Sequence, residues 1–142
     1  MLYAITIINT GQRPAQQLHF VDTLDANTLL VVGTLNTDRG QIGQGNTPGD
    51  TRVVLDLDRL DPGARVSLSF QVSIKLQVND TQVQNQAVAT FVNADGGPIG
   101  QTVVISDDPD TSDALDATVT PLNGNLPHPQ PKLFLPFVAR KE

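Results

Sequence analysis

Few side chains in this sequence could do chemistry. His19 and His128 are the only imidazoles, and there is no cysteine. That excludes a thiol nucleophile, a thiolate metal site and a disulfide framework. A hydrolytic triad needs an imidazole base, oriented by a carboxylate, beside a nucleophile. His19 falls in a strand-like stretch and His128 among prolines, and for both a ring with no catalytic part is the simpler reading. Carboxylates are more plentiful, but no spacing selects a pair for acid–base work. No catalytic residue is assigned, and the chain is expected not to be an enzyme.

The segment from Ser106 to Asp116 holds the densest group of acids. Asp107, Asp108, Asp110 and Asp113, with Asp116 following, place hard oxygens in one short loop. Such a set suits calcium, which takes six to eight oxygen ligands and commonly stabilises extracellular modules. The spacing is not the helix–loop–helix pattern and lacks its closing glutamate. Asp and Pro are also good turn residues, with Asp108-Pro109 opening one, so the simpler reading is a solvated turn. These aspartates are the candidate calcium ligands, and no other cofactor is indicated.

A third chemistry is the internal lysine–asparagine cross-link of some bacterial surface sandwiches. It needs a lysine in the core beside an asparagine and a carboxylate. Lys75, the only lysine in a strand-like stretch, falls on a polar face, opposite the face that carries Asn85. No such cross-link is expected. Asn79-Asp80-Thr81 matches a glycosylation sequon, although Asn79-Asp80 is also a good hairpin turn.

The elements that must position these groups are strands. Val66, Leu68, Phe70, Val72, Ile74, Leu76 and Val78 alternate without a break with Ser67, Ser69, Gln71, Ser73, Lys75 and Gln77. Period-two alternation marks a strand with one face in a core and one in water. Burying those seven side chains would contribute on the order of 10 to 20 kcal/mol before entropy. Weaker alternation predicts strands over Leu2–Asn9, with Tyr3, Ile5 and Ile7 inward, and over Gln17–Thr23, with Leu18 and Phe20 inward. Thr51–Leu57 places Val53, Leu55 and Leu57 inward. Leu29–Leu35 reads as a short buried strand, and Thr37–Asp50, with four glycines, as a loop or ragged edge hairpin. Asp61-Pro62-Gly63 is a tight turn.

If Asn79-Asp80 closes a hairpin, Val72 faces Ala87, Phe70 faces Ala89 and Leu68 faces Phe91 across the next strand. Asn85 then falls on the apolar face, where its amide must be satisfied. Short strands follow at Thr102–Ile105 and at Asp116–Leu122, the latter with Ala117 and Val119 inward. The expected fold is all-β: an immunoglobulin-like antiparallel β-sandwich of two sheets and about seven to nine strands.

Composition agrees. One domain fits 142 residues, and strand and turn formers dominate, with five Phe, one Tyr and no Trp. A net charge of −6 and a pI near 4.6 give no electrostatic footprint for nucleic acid or anionic lipid. No apolar run is long enough for a membrane helix and no signal peptide is read, yet a strand begins directly after Met1. A piece of a longer exported protein is expected. The sandwich spans 1–122, a proline-rich linker 123–132, and an apolar tail 133–142. The tail, with Leu133-Phe134-Leu135-Pro136-Phe137-Val138, is expected to dock on a sheet edge or groove of this domain or of a second copy.

Tyr3 to Gly11, Val21-Asp22-Thr23-Leu24, Leu60-Asp61-Pro62-Gly63, Asn85-Gln86-Ala87-Val88-Ala89 and Ser106 to Asp110 occur in an order that resembles the repeat called domain of unknown function eleven. The resemblance covers about Tyr3 to Thr120. It implies an immunoglobulin-like module, found in tandem in bacterial cell-surface and secreted proteins, with no catalytic residues to carry over. Neighbouring repeats of the same protein are then the expected partners, and the location is extracellular or at the cell surface. The tail resembles the leucine–proline ends of some exported proteins but lacks the rest of a sortase signal. Two roles follow: a structural spacer that contributes to adhesion or self-association, or a glycan- or protein-binding module stabilised by calcium. The scarcity of aromatics favours the spacer.

Overall fold

The computed structural model describes residues 1–75, 81–93 and 101–122, and the backbone of 132–137. Among them are twelve strands and no helix: β1 (Leu2–Asn9), β2 (Ala15–Thr23), β3 (Thr28–Leu30), β4 (Asn36–Thr37), β5 (Gln41–Gln44), β6 (Arg52–Leu60), β7 (Arg65–Ile74), β8 (Gln82–Asn85), β9 (Ala87–Asn93), β10 (Thr102–Ile105), β11 (Thr118–Pro121) and β12 (Lys132–Phe137). One five-stranded sheet runs β12-β1-β7-β3, with β4 also on β7. The other runs β10-β9-β2-β6-β5, and β8 and β11 form a separate two-stranded ribbon. This is an all-β sandwich.

Alternation builds its core. Tyr3, Ile5 and Ile7 of β1 are directly opposite Phe70, Leu68 and Val66 of β7. With Leu18 and Phe20 of β2, Val53 and Leu55 of β6 and Phe91 of β9, they form a single buried cluster. The rings of Tyr3 and Phe70 lie 5.3 Å apart, tilted by 39°, a separation at which aromatic pairs attract. In β2 the alternation survives an added residue. Gln17 takes a left-handed φ of 50°, and the register with β9 shifts between Gln16 and His19. This β-bulge lets Ala15, Leu18 and Phe20 all point inward.

Three expectations are corrected. The first is the hairpin after β7. β7 pairs with β1 on one side and with β3 and β4 on the other, while β9 lies between β2 and β10. Val72 and Ala87, and Phe70 and Ala89, are therefore in different sheets. Alternation fixes which face a side chain takes, not which strand lies alongside, and β1 offers larger apolar partners than the alanines of β9. Ala89 instead lies opposite Phe20. Residues 76–80, which include the expected turn, lie outside the described residues.

The second correction concerns Leu29–Leu35, which is not one buried strand. Only Thr28–Leu30 is extended, and Leu29, Val31 and Val32 are exposed. Gly33 at φ 81° turns the chain, with the Thr34 amide donating to the Val31 carbonyl, before Leu35 re-enters the core. Third, β11 has the opposite parity: Thr118 is buried and Val119 exposed.

The tail strand β12 runs parallel to β1, from Ala4 opposite Lys132 to Asn9 opposite Phe137, so the first sheet is mixed rather than wholly antiparallel. It covers an edge that would otherwise leave unpaired backbone groups.

Two measurements check this packing. Phe70→Ala should cost about 3 to 5 kcal/mol in urea unfolding, whereas Val32→Ala should change stability by less than about 0.5 kcal/mol. A large loss at Val32 would restore the buried-strand reading of that segment. Removing 125–142 should lower the urea midpoint or shift the chain to a larger species on gel filtration, because β1 loses a neighbour; no change in either would make β12 inert.

Candidate functional site

Among the described residues seven polar side chains are buried, and Asp22 of β2 meets Asn85 of β8. Asp22 continues the inward parity of Leu18 and Phe20 along β2 and is fully buried. Asn85 closes β8 and is 2% exposed. The Asn85 Nδ2 donates to Asp22 Oδ2 at 2.8 Å. Thr118 of β11 is 5% exposed and lies directly opposite Asn85 in the ribbon. Asp22 Oδ1, Asn85 Oδ1 and Thr118 Oγ1 have no hydrogen-bond partner among the described residues. Buried polar atoms are normally paired, so three unpaired atoms at one place mark the site.

The surrounding backbone fixes Asn85. Asp25 Oδ2 accepts from the Gln84 amide at 2.9 Å. On the other side Ser106 Oγ accepts from the Ala87 amide, and the Ser106 amide donates to the Ala87 carbonyl. Gln86 Nε2 donates to the carbonyls of Ser106 and Leu115. The segment has little freedom to move its amide.

Burial governs the electrostatics. Desolvation pushes the Asp22 carboxyl up to about 6, against the smaller downward pull of the Asn85 hydrogen bond. The Tyr3 hydroxyl is pushed up by its own burial and by the nearby Asp22 and Asp25, so it stays protonated. Asp22 is thus an acid that holds its proton into the mildly acidic range. The Asn85 amide is hydrogen-bonded to it, and Thr118 pairs with Asn85 across the ribbon.

The aspartate loop is built differently. Asp107 Oδ1 accepts from the Leu115 amide, Asp108 Oδ1 from the Asp110 amide, and Asp116 Oδ1 from the Asp108 amide. Asp116 Oδ2 takes the Thr111 hydroxyl at 2.8 Å. Asp113 enters through its carbonyl, which accepts from Thr111 Oγ1, and Asp110 through its amide. Of the four candidate calcium ligands, Asp107 and Asp108 turn a carboxylate oxygen onto the loop's own backbone. Among the described residues no three His, Cys, Asp or Glu side chains converge as a metal site.

His19 Nδ1 lies 2.6 Å from Asp56 Oδ1, and both side chains are about half exposed on the outer face of the second sheet. Such a surface pair contributes little to stability. Lys75 is exposed, with Nζ donating to the Ala26 carbonyl. His128 and Asn79 lie outside the described residues. The rings of Tyr3, Phe20, Phe70 and Phe91 are all buried. A hollow of about 110 Å³ beside Leu24, Asp25, Asp50 and Lys75 falls short of the roughly 300 to 1,000 Å³ of small-molecule pockets. No described helix is long and apolar enough to cross a membrane.

Comparison with known proteins finds no family model and no curated protein that matches the chain. Geometry alone identifies the site. The amide was legible in the sequence, because alternation placed Asn85 on an apolar face. The carboxyl was equally open to inference, since Leu18, Phe20 and Asp22 share a parity. Thr118 was hidden by the apolar Val119 beside it, which suggested the opposite parity.

The acids predict an unusual pH profile. The folded-state value of Asp22 lies above that of a free carboxyl, so its contribution is complete below about pH 4 and is lost as pH rises through about 6. The shift corresponds to about 2 to 3 kcal/mol. Asp50 and Asp116 are held below the usual range, the first chiefly by backbone amides and the second chiefly by the Thr111 hydroxyl. Their contribution is present above that range and lost as pH falls. Stability should therefore peak near pH 4 in urea titrations and fall toward neutral, and Asp22→Asn should flatten that decline. A wild-type profile flat from pH 5 to 8 would contradict the placement of Asp22.

Proposed function

We propose that this chain is a non-catalytic structural spacer module of a bacterial cell-surface or secreted protein. The observation that carries the reading is how the chain uses its acids. Asp25, Asp38, Asp50, Asp107, Asp108 and Asp116 each accept from at least one backbone amide. Asp50 alone takes the amides of Gly45 and Thr47 and the side chain of Gln44. Carboxylates spent in this way cap turns and stiffen loops without reaching toward a substrate. A module whose task is to hold a distance needs stiff loops between its strands.

Two further features support the same reading. The described aromatic rings are all in the core, which leaves none of them to stack on a sugar face. The resemblance to tandem surface repeats, carried by Tyr3 to Gly11, Leu60 to Gly63 and Asn85 to Ala89, supports the same reading, in which such a module would stand beside copies of itself. An extracellular location and neighbouring repeats as partners belong to this proposal.

Glycan-array and calorimetric binding measurements on the whole chain should give no saturable signal. Hydrogen exchange should show the amides of Leu115, Asp110 and Asp108 protected, and Asp116→Ala should release the last of these. A saturable glycan signal abolished by substitutions in one surface cluster would overturn the spacer and establish a binding module.

A further inference from the structure

The Asp22, Asn85 and Thr118 cluster has more in it than a sandwich needs. An unpaired carboxyl oxygen, an unpaired amide carbonyl and an unpaired hydroxyl belong to three buried residues, linked by the Asn85–Asp22 hydrogen bond and the Asn85–Thr118 strand pairing. We propose that Thr118 Oγ1 attacks Asn85 Cγ, with Asp22 as the acid–base group, to form an intramolecular ester that joins β8 to β11.

The strand pairing and one of the contacts that the reaction needs are already made. Thr118 and Asn85 are directly opposed partners in an antiparallel ribbon, so their side chains share a face. The hydroxyl carries no hydrogen bond that would tie up its oxygen. The amide nitrogen, which is the leaving group, is already hydrogen-bonded to the Asp22 carboxyl at 2.8 Å. In a site closed to water the carboxyl can pass a proton, and hydrolysis does not compete.

The reaction balances without a co-reactant. The Thr118 Oγ1–Asn85 Cγ bond forms and the Asn85 Cγ–Nδ2 bond breaks. Asp22 gives its proton to the departing nitrogen and, once closure brings the Thr118 hydroxyl within reach of its free Oδ1, regains one from it, so it ends unchanged and ammonia leaves. No atom changes oxidation state.

Closure requires some movement, and the fold provides for it. The ester bridge has as many bonds between the two Cβ atoms as a disulfide, which holds them about 3.8 Å apart. Directly opposed side chains start about 4.5 to 5.5 Å apart. The pair must close by about an ångström; β8 is held by the hydrogen bonds of Gln84, Gln86 and Ala87, so the movement falls to β11, whose one strand neighbour among the described residues is β8. Lysine has no part in this linkage, and the inference does not depend on the spacer role.

Intact-mass spectrometry of the purified whole chain tests it. The expected mass is about 17 Da below the sequence value, for loss of ammonia. Cleavage before aspartate separates a peptide 80–94, which holds Asn85, from 116–142, which holds Thr118. The two should co-migrate as one species and part in mild alkali, as an ester does and an amide does not. Thr118→Val and Asp22→Ala should have the full calculated mass, and Thr118→Ser should restore the loss. A wild-type chain at full mass after prolonged incubation overturns the proposal, whatever the variants do. So does a loss that persists in Thr118→Val, which would place the change elsewhere.

Discussion

One buried amide ties the two sheets together. Asn9 ends β1, and its Nδ2 donates to the carbonyls of Arg13 and Leu60, both at 2.8 Å, while its Oδ1 accepts from the Gly11 amide. Its own amide donates to the Ala64 carbonyl, and its carbonyl accepts from Gly63. A single residue thus binds the end of a first-sheet strand, the crossover to the second sheet, the last residue of β6 and the turn into β7. Hydrogen bonds made away from water are costly to leave unmade, so this corner sets the relative placement of both layers.

Most of the strands were legible because alternation is a strong local signal. Tyr3, Ile5 and Ile7, Leu18 and Phe20, Val53 and Leu55, and Val66 through Val72 all point where their spacing predicts. Partner choice was not legible. Whether β7 lies beside β1 or β9 depends on which apolar surfaces fit together at long range, and a plausible Asn-Asp turn suggested the nearer strand. At Leu29–Leu35 the composition is misleading: a run of apolar residues reads as buried, but Gly33 at positive φ interrupts it and turns Val31 and Val32 to solvent.

The site was half legible for a related reason. Parity places a polar residue inside as surely as an apolar one, but a polar residue draws attention only when its neighbours form a long pattern. Asn85 had such a pattern and Asp22 a shorter one. Thr118 lies in a four-residue strand, too short to establish its own phase. In the aspartate loop the sequence shows a cluster of acids but not the backbone amides that Asp107, Asp108 and Asp116 accept from. In an acidic chain without cysteine, carboxylates can do for loops what disulfides do elsewhere, one hydrogen bond at a time.

The parallel pairing of β1 with β12 has a mechanical consequence. The two strands run in the same direction, so the leading end of β1 and the trailing end of β12 lie at opposite ends of their shared ladder. Tension applied through those ends draws the strands past one another and does not peel them apart. Every hydrogen bond of the ladder then bears load together, and the weakest cannot fail first and pass its load to the next. An antiparallel tail on the same edge would open like a zipper under the same pull. Strands β1 and β12 thus form a shear joint.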